Sequence, residues 1–300
     1  MIAQILPVFL IIVFGFFLSI IKIAHDSWVP ILNKYGLYIG FPILIFSNLI
    51  DIDKEVLAHQ VPTLVTTLAI ICAFMLLAYF LIRAFHIPKE IGMVILIAGY
   101  FGNIGYLGFP LITSIAPETG ATISIITAAY SISLFTLGLF LLETLSGEEK
   151  HISEILRQII SSPFIIAIAG GLIVVLLQIK LPQPILKTVK MIEGSASPVV
   201  LIGLGIFMHR KISLKKLWKP IAALATLKMI IFPAVFFLVS RLLPLGESFD
   251  VAILEASMPV AITVFALSDR FDMDKELIIS LIILTTVITP FVFPFMVSIL

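Results

Sequence analysis

The chain has 300 residues, 60% of them hydrophobic and 12% charged, with a mean hydropathy of +1.20. A soluble domain is about 45–50% apolar and about 25% charged, so the composition excludes a water-soluble fold and intrinsic disorder alike. The near balance of 19 basic and 18 acidic residues excludes the basic surface of a nucleic-acid binder, the single cysteine, Cys72, excludes an internal disulfide, and the five histidines lack metal-ligand spacing.

A membrane-crossing helix needs about 20 mostly apolar residues. Apolar stretches broken at charge clusters give ten: 2–24, 28–50, 61–84, 89–116, 119–143, 161–180, 186–208, 215–242, 248–269 and 275–299. The expected class is therefore an all-α integral membrane protein of ten transmembrane helices. The first span has no basic n-region and too long an apolar run for a cleaved signal, and neither end carries a lipidation motif. The second holds Gly36-x-x-x-Gly40, a close-packing pattern, and ends in Ser47 and Asn48.

The fourth span carries Gly99, Gly102, Asn103, Gly105, Gly108 and Pro110. Glycine and proline disfavour helix, and proline lacks a backbone donor. This span should unwind at mid-membrane, where freed backbone must be covered by protein or face water. GNIGYLG lacks the glycine spacing of a phosphate-binding turn and follows no strand. The longest loop, after the fifth span, is expected to hold one amphipathic turn, HISEILRQII (151–160). The loops leave no room for a nucleotide-hydrolysing domain.

The seventh span carries Glu193 near its outer end, where it is expected to meet water. The eighth carries Lys228 well inside, able to snorkel, to pair with Glu255 or to attract an anion. The ninth holds Glu255, Ser257 and Pro259 near its middle and is expected to break as the fourth does. The tenth should bend at Pro290 and Pro294, beside Phe291, Phe293 and Phe295, which are given no ligand role.

Lysine and arginine concentrate in loops on the inner side when the N-terminus is placed outside. HRKISLKKLWK (209–219) contributes most, against Lys54, Lys180, Lys187, Lys190 and Arg241 on the outer side. Both termini are expected outside the cell membrane. The chain also repeats: Pro7, Gly15, Lys34 and Pro42 recur in order as Pro163, Gly171, Lys190 and Pro198, Pro62 and Arg83 as Pro220 and Arg241, and Pro110 as Pro259. The reading is two five-helix repeats, 1–145 and 161–300, joined by a cytoplasmic loop at 146–160. An odd number of spans per repeat inverts the second half, as in many secondary transporters, whose sites lie at interrupted helices.

Half-helices that start at a break present free N–H groups and partial positive charge, an anion site without full formal charge. Carbonyls freed at the break can hold a cation. Glu255, a carboxylate near the bilayer centre, either binds a proton or Na+ or caps the broken helix in its protonated form. Asn103 offers donor and acceptor to a substrate or to the unwound backbone. Pro110 and Pro259 keep the breaks open.

GNIGYLGFPL (102–111) and EASMPVAITVFALSDRF (255–271) resemble the two crossover regions of the auxin efflux carrier family. NKYGLYIGFPILIFSNL (33–49) and SPVVLIGLGIFM (197–208) are similar to its second and seventh spans, so the resemblance covers the whole chain. It implies ten spans in two inverted repeats, divided into a scaffold and a transport domain, and a permease for organic anions such as dicarboxylates. It implies a site around Gly102, Asn103, Gly105, Pro110, Ser257 and Pro259, with Asn48 lining it. Related sodium symporters use a glutamate beside the same crossover for Na+, which assigns ion coupling to Glu255, with Lys228 near it. Related carriers often dimerise through the scaffold, which leaves a homodimer open.

The leading expectation is a secondary carrier for a small carboxylate, with no cofactor and no enzymatic activity. The alternative is a cation antiporter of related fold, although Asp26, Asp51, Asp53, Asp250, Asp269, Asp272 and Asp274 all sit at span ends or in loops. An intramembrane enzyme would need a nucleophile and base within the spans, and a channel would need a filter motif.

Overall fold

The computed structural model describes residues 2–52, 54–147, 157, 160–212 and 214–300, which leaves most of HISEILRQII outside the described residues. The regular structure is helical, and no strand occurs among the described residues beyond one isolated bridge. Among the described residues seven helical stretches are long and apolar enough to cross a membrane: Ile2–Ile20, Trp28–Ile50, Leu57–Ala84, Pro117–Ser146, Gln183–Phe207, Leu217–Leu242 and Lys275–Ile299.

In chain order the helices are α1 (Ile2–Ile20), α2 (Trp28–Tyr35), α3 (Phe41–Ile50), α4 (Lys54–Ala84), α5 (Lys89–Ala98), α6 (Phe109–Ile115), α7 (Gly120–Ser133) and α8 (Leu139–Ser146). They continue as α9 (Pro163–Leu176), α10 (Gln183–Phe207), α11 (Leu214–Thr226), α12 (Phe232–Leu242), α13 (Glu247–Ala256), α14 (Thr263–Phe271) and α15 (Lys275–Ile299). The stretch read as the sixth span holds only α9, 14 residues long. Helix α15 runs unbroken through Pro290 and Pro294.

Among the described residues four turns are π-helical: Gly36–Gly40, Ile104–Gly108, Leu134–Gly138 and Leu227–Ile231. Three of them run straight into a Phe-Pro pair, at Pro42, Pro110 and Pro233. A helical proline strikes the carbonyl four residues back, here that of Tyr38, Tyr106 or Met229, each the middle residue of its π turn. Widening the turn lets the ring pass. The N–H of Phe41 then reaches back to the Gly36 carbonyl and that of Phe232 to the Leu227 carbonyl, so the helix continues with one residue inserted. The turn at Leu134–Gly138 has no proline behind it.

The chain divides into two compact units, Met1–Pro62 with Gly105–Ala128 and Ile160–Arg210, and Thr63–Ile104 with Ala129–Ile159 and Lys211–Leu300. In the first unit α10 is the central helix, contacting α1, α2 and α3. Where α1 crosses it the backbones touch: a Cβ on Gly205 would stand 2.7 Å from the Phe16 nitrogen and 2.9 Å from the Gly15 Cα. The Tyr106 ring stacks on Phe41 at 4.7 Å, and its hydroxyl donates to Asn33. In the second unit Phe74, Phe232, Phe236 and Phe249 form a continuous aromatic contact, and Arg270 of α14 pairs with buried Glu143 of α8 at 3.0 Å.

Gly205→Val should force α1 off α10 and cost about 1–3 kcal/mol, the range for overpacking a filled interior. Thermal melting in detergent should record the loss. Gly194→Ala, exposed and with nothing within 4 Å of the new methyl, should leave the melt unchanged or slightly higher.

Candidate functional site

Helix α5 stops at Ala98 because glycine and a following glycine-rich run cannot hold it. Its last turn closes with the Phe101 N–H donating to the Ile97 carbonyl at 2.8 Å. Helix α13 stops at Ala256, where the Ser257 hydroxyl turns back to the Leu254 carbonyl at 2.7 Å and Pro259 has no donor to continue the ladder. The two freed stretches lie antiparallel, paired at Gly102 and Val260. The Asn103 N–H donates to the Pro259 carbonyl at 2.7 Å, and the Ala261 N–H donates to the Phe101 carbonyl at 3.2 Å. The Val260 N–H donates to the Thr285 hydroxyl at 3.1 Å, and that hydroxyl donates to the Leu281 carbonyl at 2.7 Å. Each break thus satisfies the other, with α15 supplying a hydroxyl, which is the requirement for irregular backbone at membrane depth.

Lys228, on the π turn ahead of α12, is fully buried at this crossing. Its ammonium donates to the Ala256 carbonyl at 2.6 Å and lies 5.1 Å from the Phe232 ring centre. A methyl on Gly102 would stand 3.2 Å from its Nζ and 3.3 Å from the Met258 carbonyl, so glycine keeps the space for the lysine. Glu255 is fully buried, within electrostatic reach of Lys228 and Tyr130. Among the described residues neither Glu255 oxygen has a hydrogen-bond partner, and the Asn103 Nδ2, the Tyr130 hydroxyl and the Thr286 hydroxyl are likewise unpartnered. Buried polar groups left unpaired are costly.

The structure therefore brings together Gly102, Asn103, Ser257, Pro259, Glu255 and Lys228, all within the second unit. Gly105, Pro110 and Asn48 belong to the first. Gly105 lies inside a π turn rather than in the break, its Cβ position 3.4 Å from the Phe41 ring. Asn48 spends its amide on the Leu44 carbonyl at 2.8 Å and on Glu193 at 3.3 Å. Glu193, part-exposed, accepts from the Ser47 hydroxyl at 2.6 Å and pairs with Lys190 at 3.1 Å, which also holds Asp51 at 2.7 Å. Pro110 lines a cavity of about 340 Å3 with Lys190, Glu193, Thr113 and Ser114. Among the described residues no three His, Cys, Asp or Glu side chains gather as a metal site.

Sequence reasoning passed over Thr285 and Thr286. Their signal was available, as adjacent hydroxyls in the middle of an otherwise apolar span. Tyr130 gave none, because its neighbours are distant in sequence.

A helical, multi-pass membrane fold with two paired breaks and a buried charged cluster defines a membrane transporter. The profile of the membrane transport protein family matches residues 1–297, and the chain belongs to that family, the auxin efflux carriers. It is 28% identical to an uncharacterized transporter of Methanocaldococcus jannaschii, over 94% of this chain and 93% of the relative. It is 23% identical to a Rhizobium meliloti protein named "Putative malonate transporter", over 95% of this chain and 91% of the relative. An uncharacterized transporter of Escherichia coli is 24% identical over 90% of this chain and 88% of its own length.

Thr285→Val should strand the Val260 N–H and cost about 1–3 kcal/mol, the penalty for an unsatisfied buried donor, while Thr285→Ser should keep most of the stability. Melting of the two variants beside the unmodified protein checks the difference.

Proposed function

We propose that this protein is a secondary active carrier for a small organic anion, a carboxylate, bound where the breaks at 99–103 and 257–262 cross. The observation that carries the reading is a buried, unpartnered Asn103 amide and a fully buried Lys228 ammonium on the same pair of crossed breaks, a donor and a positive charge. Such groups, fixed in advance in a low-dielectric setting, favour an anion strongly. The Rhizobium meliloti relative, named for malonate, supports a carboxylate. Ser257, Pro259 and Gly102 shape the pocket through backbone, and Glu255 carries the coupling proton or Na+.

In this reading the chain crosses the cell membrane ten times, with both termini outside. The seven long helices, α9 and the two broken pairs make up the ten spans. The repeats are 1–145 and 161–300, inverted with respect to each other. Each compact unit draws on parts of both repeats: the first takes residues 1–62, 105–128 and 160–210, the second takes 63–104, 129–159 and 211–300. Two copies of one fold in opposite orientation can exchange conformations, so an outward-open state implies an inward-open one. Dimerisation through the scaffold belongs to the same reading.

A cation antiporter is the second reading, favoured by the two unpartnered Glu255 oxygens. Thermal melting against carboxylates, amines and sugars, with and without Na+, separates the two. A bound ligand stabilises by RT ln(1 + [L]/Kd), about 2.7 kcal/mol at a hundredfold excess over Kd. The carrier reading expects malonate or another carboxylate to raise the melting temperature, and Glu255→Gln to abolish uptake into vesicles while the protein still folds. A response to Na+ or pH alone would transfer the lead to the antiporter, and unchanged uptake by Glu255→Gln would remove that residue from coupling.

A further inference from the structure

The C-terminal end of α13 faces the crossing with carbonyl oxygens, the end of a helix that attracts cations. Most of these oxygens are answered locally. The Ser257 N–H serves the Ile253 and Leu254 carbonyls and the Met258 N–H serves that of Glu255, all at 3.1 Å. The Ala256 carbonyl is the exception. Its helical donor would be the Val260 N–H, but that group is committed to Thr285. The Lys228 ammonium takes the vacated place at 2.6 Å, with the Phe232 ring on one side and the Glu255 carboxylate within electrostatic reach. A backbone carbonyl at the end of a broken helix, with a buried carboxylate nearby, is the donor set that holds an alkali-metal ion in such crossings. An ammonium is a compact point charge able to fill the same position, and Gly102 leaves the room it needs.

We propose that Lys228 is a tethered cation standing in the alkali-ion position of the crossing, so that the site is made ready for its anion without Na+. Removing the lysine side chain leaves the Ala256 carbonyl without its donor and Glu255 without its neighbouring positive charge, and an ion from solution should then enter. The inference rests on the crossing being the transport site, but its test needs no substrate.

The test compares melting of the purified protein in sodium chloride and in choline chloride at equal ionic strength, together with equilibrium binding of radioactive sodium. The unmodified protein and Lys228→Arg should melt alike in both salts and bind no stoichiometric sodium. Lys228→Ala should melt lower in choline, recover several degrees in sodium and bind one ion. Adding Glu255→Gln to Lys228→Ala should abolish that recovery. Sodium binding by the unmodified protein would overturn the inference, as would a folded Lys228→Ala that ignores sodium. Should Lys228→Ala fail to fold, Lys228→Gln gives the same comparison, and the unmodified protein decides by itself whether the position is open to sodium. Failure of the carboxylate reading has a different signature, the absence of any carboxylate shift, and leaves the sodium comparison intact.

Discussion

A chain that leaves helical geometry inside a bilayer strands N–H and C=O groups where water does not reach them, and the second unit is organised around that constraint. Two breaks are tolerable where one would not be, because each supplies what the other lacks. Gly102 and Asn103 give an extended edge, and Pro259, Val260 and Ala261 give the complementary one. What the pair leaves over is taken by Thr285 and Lys228. The buried charges follow from the backbone arrangement. A lysine is held in the interior because a carbonyl and a carboxylate are there to receive it, and the glutamate is tolerated because the ammonium is near.

The π turns serve the same end by another route. A proline within a spanning helix would ordinarily kink or break it. Here three prolines follow widened turns, and the helices of the first and second units continue past them. The chain thus has two kinds of interruption. Those at Pro42, Pro110 and Pro233 are repaired within their own helix. Those after Ala98 and Ala256 are repaired by each other together with Thr285 and Lys228.

Much of this was legible in the sequence. Long apolar runs between charge clusters mark the membrane helices, and the seven that reach full length lie within a few residues of the expected spans. The glycine run marks the first break, although Gly105 and Gly108 fold back into a π turn because the Phe-Pro pair behind them needs one. What periodicity could not supply was pairing. Lys228 meets Ala256 across 28 residues, and Val260 meets Thr285 across 25. Glu193 meets Ser47 across 146 residues, a partner that its own stretch of chain does not announce. Threonines in an apolar span look like neutral filling until a freed N–H is found beside them.

Carriage of a carboxylate requires the crossing to open to each side of the membrane in turn and to hold the anion between. Ala261, buried at the crossing, offers a direct probe. Ala261→Cys in a Cys72→Ser background would be treated with a membrane-impermeant thiol reagent in right-side-out and in inside-out vesicles. Labelling from both sides, slowed on both by malonate or another bound carboxylate, is the predicted result. Labelling confined to one side under every condition, or indifferent to any carboxylate, would contradict it.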